Sequence, residues 1–224
     1  MNIQIGDKGI GWTDATWNPI TGCLHNCPYC YARTIANRYR RSFKPEFHAH
    51  LLDDPIKRKK PTKIFCGSTA DNFGDWVPSE WMNAVLDIVR QCPQHTFQFL
   101  TKAPQNLAQY NPWPSNCWVG ASATDQQMMD KALKTLTQCD APIKFVSAEP
   151  LLSLIDADLS PLDWIIIGAQ TGKNAHQPDQ WWTLKLIHYA AKARIPIFHK
   201  DNLIIKPKRR EFPRAQAQPA LFVL

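Results

Sequence analysis

Three of the seven cysteines in this 224-residue chain fall within eight positions: Cys23, Cys27 and Cys30, spaced C-x3-C-x2-C. Thiolates are soft ligands that suit iron–sulfur clusters and zinc. Three on one short loop can wrap three corners of a single cubane cluster, whereas a fully ligated ferredoxin-type cluster takes four cysteines. One iron would then stay open to an outside ligand. Zinc is the competing reading, with His25 or a distant residue as fourth ligand. Zinc ribbons usually carry two C-x2-C pairs, and there is no second pair here. Cys66, Cys92, Cys117 and Cys139 stand alone and far apart, as small buried apolar residues do. An odd cysteine count argues against a disulfide framework. The opening MNIQIGDKGIGWTD has neither the basic start nor the apolar core of a signal peptide. The expectation is a cytoplasmic protein.

A cysteine loop needs elements to hold it. Short apolar runs recur along the chain at 15–18, 63–67, 95–100, 117–120, 143–147, 164–168 and 195–199. Most are about five residues long and apolar on both faces, as parallel strands covered on both sides are. Helical spacing fills intervals between them, over 79–91, 125–138 and 179–193, the last two opening on an N-cap aspartate. Alternation of this kind predicts a parallel α/β fold, either an open doubly wound sheet or a barrel. No Gly/Ser-rich linker interrupts it, so residues 1–224 are expected to form one domain. Hydrophobic residues at 44% and charged residues at 20% exclude a disordered chain. No run approaches the length of a membrane span. No GxGxxG or GxxxxGK[ST] follows a strand, which weakens the dinucleotide and P-loop readings. The runs end in polar or small clusters: Gly67-Ser68-Thr69, Thr101-Lys102, Ser122 to Asp125, Ser147 to Glu149, Gly168-Ala169-Gln170 and Lys200-Asp201. In a parallel barrel these ends form one rim, where active sites are built.

The spacing C-x3-C-x-aromatic-C, with Tyr29 before the last cysteine, resembles the radical S-adenosylmethionine superfamily. More closely, the chain resembles the phage-associated three-cysteine family of unknown function. The matching stretches are residues 11–23, 93–102, 146–152, 162–168 and 198–202. The resemblance implies a partial (β/α)6 TIM-like barrel, with an extra C-terminal strand as a variation. It implies a [4Fe-4S] cluster on Cys23, Cys27 and Cys30, with S-adenosyl-L-methionine on the open iron. Reductive cleavage of that cofactor would give a 5′-deoxyadenosyl radical that abstracts hydrogen from a substrate, with an electron donor feeding the cluster. The superfamily's usual Gly-Gly-Glu after the second strand is replaced by Gly67-Ser68-Thr69, so Ser68, Thr69 and Asp71 are candidates for the methionine amino group. The first two cysteines lie closer together than in many members of the nearer family.

Geometry of that type lays the cofactor across the strand ends. Tyr29, Ser122, Thr124 and Asp125 are then cofactor candidates, with helix capping the alternative for Asp125. Gly168, Ala169 and Gln170 could let backbone approach adenine. Lys102, Glu149 and Lys200 form a second set: the lysines could pair with Glu149 or meet an anionic group. Glu149 and Lys200 are candidate catalytic residues, with a structural salt bridge the alternative. Cys66 is a candidate hydrogen-atom donor, against a buried structural thiol. His25 reads as a solvent-facing loop residue.

Charge is unevenly spread. Residues 31–63 carry ten basic and three acidic side chains, and residues 192–214 carry eight and two. Those segments hold +13 against −6 for the rest of the chain. Both are expected to flank the barrel mouth, with Tyr39, Phe43, Phe47 and Phe212 as stacking faces, which favours a nucleic acid or nucleotide substrate. The rivals are a radical enzyme for a small molecule or peptide, and a non-catalytic metal-binding module that binds nucleic acid.

Overall fold

The computed structural model describes residues 1–4, 9–172 and 175–214. The described residues form strands β1 (Asn2–Ile3), β2 (Ala15–Trp17), β3 (Ile20–Thr21), β4 (Glu46–Phe47), β5 (Lys63–Cys66), β6 (Thr96–Thr101), β7 (Cys117–Ser122), β8 (Ile143–Ala148), β9 (Trp164–Ile167) and β10 (Ile197–His199); β2 and β5 to β10 are the seven apolar runs, and the two-residue β1, β3 and β4 are additional. The helices are α1 (Tyr31–Arg38), α2 (Asp54–Lys57), α3 (Ser79–Gln91), α4 (Gln126–Leu136) and α5 (Gln180–Ala193). One sheet runs β1-β2-β5-β6-β7-β8-β9-β10, and β3 and β4 make a separate antiparallel ribbon. From β2 to β10 every pairing is parallel; β1 alone is antiparallel to its neighbour. Strand order follows chain order, so all parallel strands end on one rim. This is the partial parallel barrel that the sequence leads one to expect, and β10 is its extra C-terminal strand.

Alternation along the strands sorts side chains onto two faces. Ile64, Cys66, Phe99, Val119, Val146, Ile165 and Ile167 join one core with Val85 and Leu86 of α3, Met129 of α4 and Leu186 of α5. The opposite positions, Phe65, Trp118, Phe145, Trp164, Ile166 and Phe198, meet Trp12 in a second core inside the barrel. Trp164 is its hub, with ring centroids of Phe145, Phe212 and Trp118 at 5.4, 5.5 and 5.7 Å. Asp125 caps α4 by accepting from the Met128 N–H at 2.9 Å, and Asp179 caps α5 through the Trp181 N–H.

The strand–helix rhythm is interrupted twice. Only two 3-10 turns, Pro104–Asn106 and Ala108–Tyr110, lie between β6 and β7, and among the described residues no helix joins β8 to β9. Prolines at 104, 112, 114, 150 and 161 punctuate these connections, where missing N–H groups and ring clashes oppose helix. After β10 the chain turns back. The His199 N–H donates to Arg209 O, Arg210 bridges Phe198 antiparallel, and the Glu211 carbonyl accepts from Trp164 Nε1.

Candidate cluster and cofactor site

A cavity of about 400 Å³ opens at the carboxyl ends of the strands, and Cys23, Cys27 and Cys30 all line it. Its floor is apolar, with Trp12, Phe65 and Leu100; its walls carry Thr69, Lys102, Ser122, Ser147, Glu149 and Lys200. Volume and character match a small-molecule site.

The cysteine loop begins at Gly22, which is left-handed (φ +83°) and so tightly seated that a Cβ there would lie 2.1 Å from the Lys44 carbonyl oxygen. Only glycine fits both demands. Gly22 pairs with the loop after β5 through Thr69 O, and the Cys23 N–H donates to Phe43 O. Cys30 caps α1, its sulfur accepting from the Arg33 N–H at 3.4 Å. The Arg33 guanidinium donates back to Cys23 O at 2.9 Å, tying the two ends of the loop together. Burial pushes the Cys23 thiol up to about 11, with Asp71, Cys27 and Cys30 adding to the effect against a His25 backbone hydrogen bond. Metal binding at Cys23 must therefore expel a proton. Among the described residues no three His, Cys, Asp or Glu side chains stand close enough to hold one metal ion. The thiols are an open set around the cavity.

His25 is not the solvent-facing residue expected. Its Nε2 lies 2.7 Å from Asp71 Oδ2, and its ring packs edge-on against Trp76 at 4.8 Å. Asp71 also accepts from Thr101 Oγ1 at 2.6 Å, the Lys102 N–H at 2.7 Å and the Phe73 N–H at 3.1 Å. Burial alone would raise its carboxyl, but these donors outweigh it and hold the group below its usual range. With its oxygens so fully engaged, Asp71 is a poor candidate for an amino group. Ser68 and Thr69 remain.

Lys200 Nζ pairs with Glu149 Oε1 at 2.9 Å, each side chain about four-fifths buried. Gly168 lies beneath them: a Cβ there would sit 3.0 Å from Cγ of both. Of the cofactor candidates, Tyr29, Ser68, Thr69, Lys102, Ser122, Glu149 and Ala169 line the cavity; Thr124, Asp125, Gly168 and Gln170 do not. Thr124 and Asp125 stand behind Tyr29, whose phenol is pushed up to about 12 by burial and then the Cys27 thiol, with Asp125 adding and the Thr124 hydroxyl opposing. Cys66 faces away from the cavity, into the outer core, where its thiol lies 3.8 Å from Ile64 O. Strand alternation sends Phe65 inward and Cys66 outward, so a role in hydrogen-atom donation is withdrawn.

Two residues outside the candidate set, Ser147 and Tyr31, belong to the site. Ser147 lines the cavity with a buried hydroxyl that has no partner, and so does Thr69. Tyr31, the first residue of α1, donates from its phenol to Ser68 O at the cavity wall. Inward register along β8 could have flagged Ser147; nothing in the sequence pairs Tyr31 with Ser68. The basic segments divide. Residues 33–44 adjoin the cysteine loop, but 57–60 lead into the amino end of β5, away from the mouth. Lys208 is spent on the carbonyls of Lys200, Asp201 and Leu203, and Arg210 on Asp201.

No curated protein matches the sequence. Among solved structures, a cysteine-to-serine mutant of spore photoproduct lyase superposes with a TM-score of 0.54 at 11% identity, over 83% of this chain and 75% of that one. A tyrosine-to-phenylalanine mutant gives 0.52 at 12% identity, over 81% and 74%. A mutant with bound AdoMet and dinucleoside spore photoproduct gives 0.48 at 13% identity, and this chain spans 62% of its length. The likeness is one of fold, an α/β sheet of the radical S-adenosylmethionine partial-barrel type. No described helix is long and apolar enough to cross a membrane. A family model described as "Protein of unknown function (DUF5131)" matches residues 7–213, and the chain belongs to that family.

Proposed function

We propose that this protein is a radical S-adenosylmethionine enzyme acting on a nucleic acid or nucleotide. The observation that carries the reading is one cavity lined by three cysteines of C-x3-C-x2-C spacing and by two buried hydroxyls, Thr69 and Ser147, that lack partners in the chain. Unpaired buried polar groups are costly to a fold and mark a place where a ligand completes them. A [4Fe-4S] cluster with S-adenosylmethionine on its open iron supplies, once reduced, a carbon radical able to take hydrogen from a substrate. Cys23, Cys27 and Cys30 would hold three irons. Ser68, Thr69, Ser122 and Ser147 are the hydroxyls available to the cofactor's polar groups. Ala169 offers a small wall, and Trp12, Phe65 and Leu100 keep the floor dry. Glu149 and Lys200 offset each other's charge, while Lys102, 5.5 Å from the Tyr29 ring, is a cavity cation available to an anionic group.

The substrate class rests on the surface beside the loop. Residues 24–44 contain five cations and no carboxylate. Their apolar side chains Leu24, Tyr31, Ile35 and Tyr39 are exposed. Guanidinium groups interleaved with aromatic faces suit phosphates and bases.

The test has two arms. Reconstituted without oxygen, reduced and given S-adenosylmethionine, the protein should release 5′-deoxyadenosine, detected by mass spectrometry. Binding to single- and double-stranded DNA and RNA should weaken steeply with salt, and charge reversal at Arg38, Arg40 and Arg41 should flatten that slope. Absence of the product with an intact, reduced cluster overturns the enzyme reading. A colourless zinc protein that binds nucleic acid would establish the rival module. Binding to none of the four polymers at low salt would point to a small-molecule substrate.

A further inference from the structure

Three separated pieces of chain converge on one carboxylate. Asp71 belongs to the loop after β5, Thr101 and Lys102 to the end of β6, and His25 to the cysteine loop between Cys23 and Cys27. The β6 contacts fix the carboxylate. Thr101 is itself held, its hydroxyl accepting from the Ala103 N–H at 2.8 Å. His25 is then the cysteine loop's side-chain link to this rigid point, its ring braced by Trp76. Between the first two cysteines the remaining residues give no such hold: Leu24 is exposed, and Asn26 is in a left-handed conformation (φ 54°).

We infer that His25 and Asp71 form a strap that sets the Cys23–Cys27 segment in place before any metal arrives, making His25 a positioning residue for the cluster. The inference rests on the cluster reading for its purpose, but the strap itself is a contact between two side chains of this chain. A loop segment already tied at one residue loses less conformational freedom when it closes on a cluster. A hydrogen bond to a charged group is strong enough to change the opening of such a loop by about tenfold or more.

The experiment compares the wild type with His25→Ala, His25→Gln and Asp71→Asn. Backbone amide exchange over residues 23–27 is measured on the metal-free full chain, and iron uptake is followed during reconstitution with limiting iron and sulfide. His25→Ala should exchange about tenfold faster across that segment and take up iron several-fold more slowly. His25→Gln, whose amide can still donate to Asp71, should recover most of both. Asp71 is buried and its replacement can unfold the rim, so the His25 pair carries the decision. Unchanged exchange and uptake in His25→Ala overturn the strap. Equal impairment in His25→Gln reduces it to packing of the ring and overturns it as well. Should the wild type take up no iron, the cluster reading fails while the exchange arm still decides the strap.

Discussion

The inside of the barrel changes character within one strand. Along β8, Phe145 belongs to the inner aromatic core and Ser147, two residues and roughly 7 Å further on, lines the cavity with an unpaired hydroxyl. A like change takes four residues on β7, from Trp118 to Ser122, and two from Phe198 on β10 to Lys200 just beyond it. Below, the ring of Trp164 touches five aromatic neighbours and its indole N–H is satisfied by Glu211 O. Above, the Thr69 and Ser147 hydroxyls stand without partners beside the bonds around Asp71 and the Glu149–Lys200 pair, whereas the one orphan among the described aromatic residues of the floor is Trp12 Nε1. The floor is organised for stability and the mouth for a ligand, and the two should respond differently to the same kind of change.

Truncation of the hub separates them most. Trp164→Ala should destabilise the metal-free protein by about 3–5 kcal/mol, as large cavities in close-packed cores do. Iron bound per folded chain should be unchanged. Chemical denaturation with iron analysis checks both, and loss of metal binding from a still-folded variant would break the division between floor and mouth.

A smaller effect comes from His199, at the end of β10. Burial, together with Lys208 and Arg209, lowers its pKa from 6.5 to about 4. The unfolded chain takes up a proton as pH falls below 6.5 and the folded chain does not, so the stability this group contributes is present above that pH and lost as pH falls toward 4. The loss should approach about 2–3 kcal/mol. In His199→Asn, which keeps an acceptor for the Arg209 N–H, unfolding curves at pH 7 and 4.5 should differ by less. An unchanged difference would place the acid sensitivity elsewhere.

The smallest effect is at the mouth. Ser147→Ala removes an unpartnered buried hydroxyl, so the metal-free fold should be unaffected or gain up to about 1 kcal/mol. Affinity of the reconstituted protein for S-adenosylmethionine, read by equilibrium dialysis, should fall several-fold. A stability loss with unchanged affinity would assign Ser147 to the floor.

Much of this division is legible in the sequence. Strand periodicity and the N-cap aspartates lead to the parallel fold, and the strand-end clusters point to Ser122, Glu149 and Lys200 as rim residues. Spacing alone marks the cysteines. Periodicity places Ser147 in a strand-end cluster and leaves Cys66 open between a rim thiol and a buried one; the structure puts Cys66 in the outer core and Ser147 on the cavity. Periodicity does not carry contacts between loops: His25 and Asp71 are 46 positions apart, and neither has a local pattern that announces the other. Basic runs show charge but not employment, and Lys208 and Arg210 turn out to hold the returning C-terminal segment.

The central claim is tested most directly by the cluster itself. Electron paramagnetic resonance of the anaerobically reconstituted, reduced protein, with iron and sulfide counted on the same sample, should give about four of each per chain and a signal that shifts when S-adenosylmethionine is added. The signal should vanish in Cys27→Ala and persist in Cys92→Ala. A full iron complement in Cys27→Ala, or a signal indifferent to S-adenosylmethionine, would contradict the account.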